Sequence, residues 1–96
     1  MLRCKFLGKG EGIELIGVLD ETTCGQIEKL LVSYKTGQLR LDMAGLQELR
    51  DGGMRPLILA SKRLKKAGGD LVLANIPPHI REFLHTEGYD LLLTLA

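Results

Sequence analysis

The sequence predicts an α/β fold: a mixed β-sheet of about four to five strands with helices packed on it, in the order β-β-α-β-α-β-α, forming a single domain over residues 1–96. Three observations predict it. Short apolar or alternating runs recur at 2–7, 13–19, 38–43 and 70–76, as strands require. Longer segments between the later runs, 20–37 and 50–69, carry apolar residues at helical spacing. The first two runs are instead joined by five Gly-rich residues, the signature of a hairpin.

LRCKFL (2–7) alternates weakly, GKGEG (8–12) turns, and IELIGVL (13–19) is β-like. GKGEG is not a phosphate loop, because that motif requires Ser or Thr after its Lys and Lys9 is followed by Gly10. In DETTCGQIEKLLVSYKTG, Cys24, Ile27, Leu31 and Tyr34 recur at helical spacing, with Leu30 widening the stripe and Gly37 as the stop. Asp20 or Thr22 suits its N-terminus, and Glu21 favours the positive helix end. QLRLDM (38–43) alternates as a strand, AGLQEL (44–49) reads as a short turn, and RDGG (50–53) opens the next helix. Met54, Leu57, Ile58, Ser61 and Leu64 form that helix's apolar stripe, and Gly68-Gly69 ends it. Residues 50–66 hold six basic side chains against Asp51, a local charge of +5. Most lie in the last two turns, where Lys62, Arg63, Lys65 and Lys66 complement the helix dipole as a solvated face. DLVLANI (70–76) reads as a buried strand. PPHIREFLHTEG is a helix with Pro78 at its first position, an apolar face of Ile80, Phe83 and Leu84, and Gly88 as its stop. YDLLLTLA closes the chain.

Composition removes several classes of function. A net charge of +1 gives no overall pull toward nucleic acid or anionic lipid. Four aromatic residues (Phe6, Tyr34, Phe83 and Tyr89) are too few for a base-stacking platform. Cys4 and Cys24 form no C-x-x-C, so buried free thiols in a reducing compartment are expected. The first twelve residues lack the apolar run of about 7–15 residues that a secretory signal needs. LLL at 91–93 falls far short of the ~18 residues of a membrane span, so a cytoplasmic protein without membrane insertion is expected. His79 and His85, six apart, lack the i, i+4 metal spacing. Asp20, Asp42, Glu48 and Asp51 lie near strand ends but spread as caps and solvated tips rather than as an acid/base pair. No enzyme, cofactor or metal is expected.

Several motifs in order carry a family resemblance. GVLD (17–20) matches a strand ending G-x-L-D, and LDM (41–43) fits an L-D-L strand. Six residues further comes the place of a D-S-S-G-L site, followed by a helix ending in the Gly pair at 68–69, the apolar run LVLANIPP (71–78), and TEGYD (86–90) at an "x-G-L" end. Over nearly its whole length the chain resembles the STAS domain of bacterial anti-sigma-factor antagonists. The resemblance implies a protein-binding module without catalysis, acting in transcription regulation or signalling. Its partner would be a protein, often an anti-sigma factor with serine-kinase activity, with no nucleic acid involved and a homodimer left open. The contact surface would comprise Asp20, Glu21 and Thr22 after G-x-L-D, together with Arg50, Asp51, Gly52, Gly53, Met54 and Arg55 at the start of the following helix. Phosphorylation of the first Ser of the motif would release the partner by adding roughly −1.5 to −2 charge there.

The motif itself departs from the pattern. Ungapped spacing from LDM places Arg50 at the family's Asp, Asp51 at its phosphorylated Ser, Gly52 at the second Ser, Gly53 at the Gly and Met54 at the Leu. Anchoring Asp51 on the family's Asp instead would require a deletion. On either alignment no Ser or Thr occupies the site, and switching there is expected to be lost. Asp51 then serves as a helix N-cap, as a fixed negative charge in the phosphate's place, or as both, with Arg50 and Arg55 near enough in sequence to offset it. Pro56 either distorts the first turn or moves the helix start toward Arg55. Two alternatives stand beside a regulatory module. One is a fixed STAS subunit of a lipid-transport ATPase complex or stress-signalling scaffold, with apolar Leu91–Leu95 left for a neighbour to cover. The other, ranked below it, is a small-ligand or nucleotide binder at the Gly-rich loop, where Asp51 would repel phosphate.

Overall fold

A computed structural model describes residues 1–8 and 12–96. Its strands are β1 (Leu2–Phe6), β2 (Ile13–Leu19), β3 (Gln38–Leu49), β4 (Asp70–Ala74) and β5 (Thr94–Leu95). The helices are α1 (Cys24–Leu31), α2 (Met54–Lys66) and α3 (Pro78–Thr86), with 3₁₀ turns at Asp51–Gly53 and Tyr89–Leu91. The strands form one sheet in the order β1-β2-β3-β4-β5, antiparallel between β1 and β2 and parallel elsewhere. This is the mixed sheet expected from the sequence, with β5 added. The predicted turn at 8–12 falls on residues 9–11, outside the described residues; at its base the Leu7 N–H donates to the Gly12 carbonyl (3.0 Å).

One face of the sheet forms the core. Ile13, Leu15 and Leu19 on β2, Leu39, Leu41 and Met43 on β3, and Leu71 and Leu73 on β4 are buried beneath the helices. Above them lie Ile27 and Leu31 of α1, Leu57, Ala60 and Leu64 of α2, and Ile80 and Leu84 of α3. Each large apolar side chain fully removed from water contributes roughly 1.5–3 kcal/mol, which drives the layers together.

Residues 44–49 continue β3 rather than turning. Along the β2–β3 ladder, Glu14↔Asp42 is followed by Ile16↔Gly45, and Gly17↔Leu46 by Val18↔Glu48. Each step places one extra residue in β3. Two bulges therefore convert the usual two-residue alternation into the three-residue spacing of Met43, Leu46 and Leu49, all buried. That spacing is why the segment did not read as a strand.

Two further boundaries differ from the sequence reading. α1 ends at Leu31 rather than near Gly37, and Arg63 of α2 holds the segment that leaves it: Arg63 Nη2 donates to the Leu31 carbonyl (2.7 Å) and Nε to that of Tyr34 (3.1 Å). Arg63 is thus a tether and not part of a solvated face. The C-terminal run is also only partly open. Thr94 and Leu95 pair with Val72 and Leu73 and Leu93 is buried, while Leu91 and Leu92 are 87% and 48% exposed. Cys4 and Cys24 are free, as expected, but half-buried rather than buried. Burial pushes the Cys4 thiol up, away from reactive thiolate.

Replacing Arg63 with Ala removes its hydrogen bonds to the Leu31 and Tyr34 carbonyls, of which the first keeps the Tyr34 N–H (3.0 Å). Arg63→Ala is expected to lower stability by about 1–3 kcal/mol, read as a reduced denaturant midpoint at unchanged slope. Exposed Lys66→Ala should stay within about 0.5 kcal/mol. Equal effects of the two would remove the tether.

Candidate functional site

The two sequence-predicted loops meet because β2 and β3 are parallel and end together. Leu19 pairs with Leu49, and one rung beyond, the Arg50 N–H donates to the Leu19 carbonyl (3.0 Å). From there one chain turns through Asp20–Thr23 into α1 and the other through Asp51–Gly53 into α2. Thr23 anchors the first turn from inside: its hydroxyl donates to the Val18 carbonyl (2.9 Å) and accepts from the Asp20 N–H (3.0 Å). Asp20 Oδ1 accepts from the Thr22 hydroxyl (2.6 Å) and the Thr22 N–H (2.9 Å). Asp20 thus orders the turn ahead of α1 and, contrary to the sequence reading, its carboxylate makes no cap bond to the helix itself. Thr22 does not cap, and Thr23, at the N-cap position, makes no side-chain cap bond. The Thr22 hydroxyl, followed by the N–H groups of Thr22 and Thr23, holds the Asp20 carboxyl below the ordinary aspartate range. A depressed folded pKa gives stability that is present above the unfolded value and is lost as pH falls through the folded one. This turn therefore loosens only in acid.

Close packing of the two loops explains RDGG. A Cβ on Gly53 would lie 2.8 Å from Leu19 Cγ and 2.9 Å from the Leu19 carbonyl carbon and oxygen. One on Gly52 would lie 2.8 Å from Glu21 Cβ and 2.9 Å from Glu21 Oε2. Each glycine makes room for the neighbouring loop.

Asp51 is not a helix cap. It begins the 3₁₀ turn, its carbonyl accepts the Met54 N–H, and α2 starts at Met54 with Gly53 as a cap residue that has no side-chain bond. Pro56 explains the offset. With Met54 first, Pro56 falls within the opening turn, where its missing N–H has no intrahelical partner to lose. Of the two outcomes foreseen for Pro56, the later helix start is the one adopted. The Asp51 carboxylate instead accepts a hydrogen bond from the Tyr89 hydroxyl (2.8 Å). This bond, and then burial and the Asp51 charge, raise the Tyr89 phenol above its ordinary value.

The arginines do not neutralise Asp51 as expected. Arg50 turns back to Glu48, with Nη2 and Nε at 2.6 and 2.7 Å from Oε1, which raises its own pKa further. As an exposed, solvent-screened pair it adds little to stability. Arg55 is exposed and forms no ion pair among the described residues. The pole therefore presents Asp20, Glu21, Thr22, Asp51 and Arg55 on two interlocked turns, with Met54 buried beneath them.

The remaining candidates serve structure. Asp42 accepts from the Ala44 N–H (2.9 Å) and from Asn75 Nδ2 (3.1 Å). His79 Nε2 lies 2.8 Å from the Gln47 carbonyl, and His85 Nδ1 lies 2.8 Å from Asp90 Oδ2. Among the described residues no three His, Cys, Asp or Glu groups converge as a metal site. A cavity of about 330 Å³, lined by Phe6, Tyr34, Arg40 and Val72 among others, opens at the opposite, N-terminal ends of β2 and β3. Among the described residues no helix is long and apolar enough to cross a membrane. Sequence reasoning missed Tyr89. The one signal available was a tyrosine directly after a helix-ending Gly, and nothing linked it to a residue 38 positions away.

Gly53→Ala is expected to cost about 1–3 kcal/mol through overpacking against Leu19, measured by chemical denaturation. Gly25→Ala, inside α1 with nothing within 4 Å of its Cβ, should be stabilising by up to about 1 kcal/mol. A tolerated Gly53→Ala would mean that the loops are not in contact.

Comparison with known proteins agrees with this architecture. Residues 4–94 match the family described as "Mlab, STAS domain". A Bordetella bronchiseptica protein provisionally named anti-sigma factor antagonist BtrV is 32% identical over 78 residues, spanning 78% of this chain and 67% of that protein. Among solved structures, an anti-sigma factor antagonist from Mycobacterium paratuberculosis superposes with a TM-score of 0.80 at 20% identity, over 99% of this chain and 85% of that one. The unphosphorylated anti-sigma factor antagonist SpoIIAA gives 0.70 at 14% identity, over 100% of this chain and 87% of that one. The five-stranded sheet with its helices is the fold of these structures, and the chain belongs to the STAS domain family.

Proposed function

We propose that this STAS domain is a non-catalytic regulatory module that docks a protein partner on the pole formed by residues 20–22 and 50–55, and that phosphorylation at residue 51 does not switch it. The observation that carries the reading is the fusion of the two loops. The Leu19–Arg50 rung and the seating of Gly52 against Glu21 turn two segments 30 residues apart into one exposed surface. The name of the Bordetella relative, an anti-sigma factor antagonist, supports a regulatory partner of that kind. On ungapped spacing Asp51 stands at the family's modified Ser. Its single charge is less than the roughly −1.5 to −2 of a phosphate, and one of its oxygens is engaged by Tyr89, so it imitates the phosphorylated state weakly.

Mass-spectrometric mapping after incubation with cell extract and ATP is expected to find no phosphate at residues 50–55. Of the hydroxyls that could take over the switch, Thr23 is 8% and Ser61 1% exposed, leaving Thr22 accessible. Stoichiometric phosphate on Thr22 would contradict a fixed surface. Affinity capture with the chain as bait should retain a protein partner, and Glu21→Lys combined with Arg55→Glu should reduce retention about tenfold or more. Both side chains are exposed, so thermal stability should hardly move. Full retention by that variant would place the docking surface elsewhere.

A second reading, a fixed subunit of a larger assembly, draws on exposed Leu91 and Leu92 beside the two-residue edge strand β5. Size-exclusion chromatography with light scattering tests the self-associating form. A monomer at high concentration counts against it, and a dimer abolished by Leu91→Glu counts for it.

A further inference from the structure

The contact least expected from the sequence joins the C-terminal turn to the pole. Tyr89 is held from several sides before it reaches Asp51. Gly88, at φ 78°, starts its 3₁₀ turn in the left-handed region, and the Tyr89 ring packs against Phe83 of α3 with centroids 5.8 Å apart and planes tilted by 40°. The next residue, Asp90, holds His85 at 2.8 Å. The ring also packs on the edge of the core. Asp51, by contrast, is exposed on a three-residue turn, and its side chain has no other fixed partner among the described residues. A rigid aromatic donor thus meets a carboxylate that is otherwise free to rotate.

We infer that Tyr89 is a positioning residue of the docking surface: its hydroxyl fixes the Asp51 carboxylate with Oδ1 occupied and Oδ2 free, and it brings the turn at 88–91 into that surface. The inference rests on the binding-module reading and adds the partner's chemistry at this point. With one oxygen taken, Asp51 offers a single oriented acceptor, which fits one donor from the partner, an Arg or Lys side chain or a backbone N–H. The phenol loses little rotamer freedom in holding the carboxylate, so the surface is ordered before the partner arrives.

The test has an arm that needs no partner. Amide hydrogen exchange on the full chain reads the N–H groups of Gly53 and Met54, which close the 3₁₀ turn onto Arg50 and Asp51. Tyr89→Phe keeps the ring against Phe83 and removes only the hydroxyl. It is expected to speed exchange at these two amides about fivefold, the order of one net hydrogen bond, and to have no such effect in an Asp51→Ala background. In a Tyr34→Phe background, Asp51→Asn should lower the pH at which Tyr89 ionises, because the negative neighbour that raises it is gone. Equal acceleration in both backgrounds, no acceleration, or an unmoved Tyr89 titration would overturn the inference. In the second arm, Tyr89→Phe and Asp51→Ala each weaken retention of the captured partner, and together they weaken it by less than the sum. Full retention by Tyr89→Phe would remove Tyr89 from the surface. Failure of the unaltered chain to capture any protein would overturn the binding-module reading itself, and the exchange arm separates that outcome from the others.

Discussion

The hydrogen bond from the Arg50 amide to the Leu19 carbonyl, 3.0 Å long, is the rung on which the pole depends. It extends the parallel β2–β3 ladder by one residue, so the two strands end side by side and their loops leave from a common origin. The register of that rung is set further down the sheet. Without the two bulges in β3, Leu46 and Leu49 could not both face the helices with Met43, and Asp51 would emerge displaced along the edge of the sheet. The geometry of the candidate site is thus decided by the burial of three apolar side chains on the strand that leads into it.

The glycines and the proline of the RDGGMRP stretch follow from the same constraint. Once the loops are this close, no side chain fits at residue 53 and hardly any at 52, and the chain enters α2 through a 3₁₀ turn that makes Pro56 harmless. The turn leaves Asp51 without a helix N–H to accept, and Tyr89 supplies the donor instead. Gly88-Tyr89, at the "x-G-L" end of the family pattern, thus meets Asp51 in space. The Tyr89 hydroxyl thereby orients the Asp51 carboxylate at the pole.

Much of this was legible in the sequence, and the parts that were not share a cause. Strands with clean alternation or continuous apolar character, 13–19 and 70–74, could be read directly, as could the α2 stripe and Pro78 at the start of α3. The bulged half of β3 could not, since a three-residue apolar spacing imitates a turn or a helix fragment when the partner strand is unknown. The end of α1 was misplaced because the segment after Leu31 is held by Arg63, 32 residues beyond it, and not by continued helix bonds. The two loops of the candidate site were found through motif order, but the chemistry between them was not. Arg50 pairs with Glu48 rather than Asp51, and Asp51 with Tyr89 rather than a helix end. Periodicity reports which face of an element is buried; it carries no information on which exposed charge meets which.

The fused pole is proposed as a fixed docking surface. Its most direct test is a hydrogen-exchange footprint of the chain with its captured partner against the free chain. Added protection concentrated at residues 20–23, 50–55 and 88–91, present without any phosphorylation, is the predicted result. Protection confined to the open face of the sheet or to the β5 edge, with the pole unchanged, would contradict it.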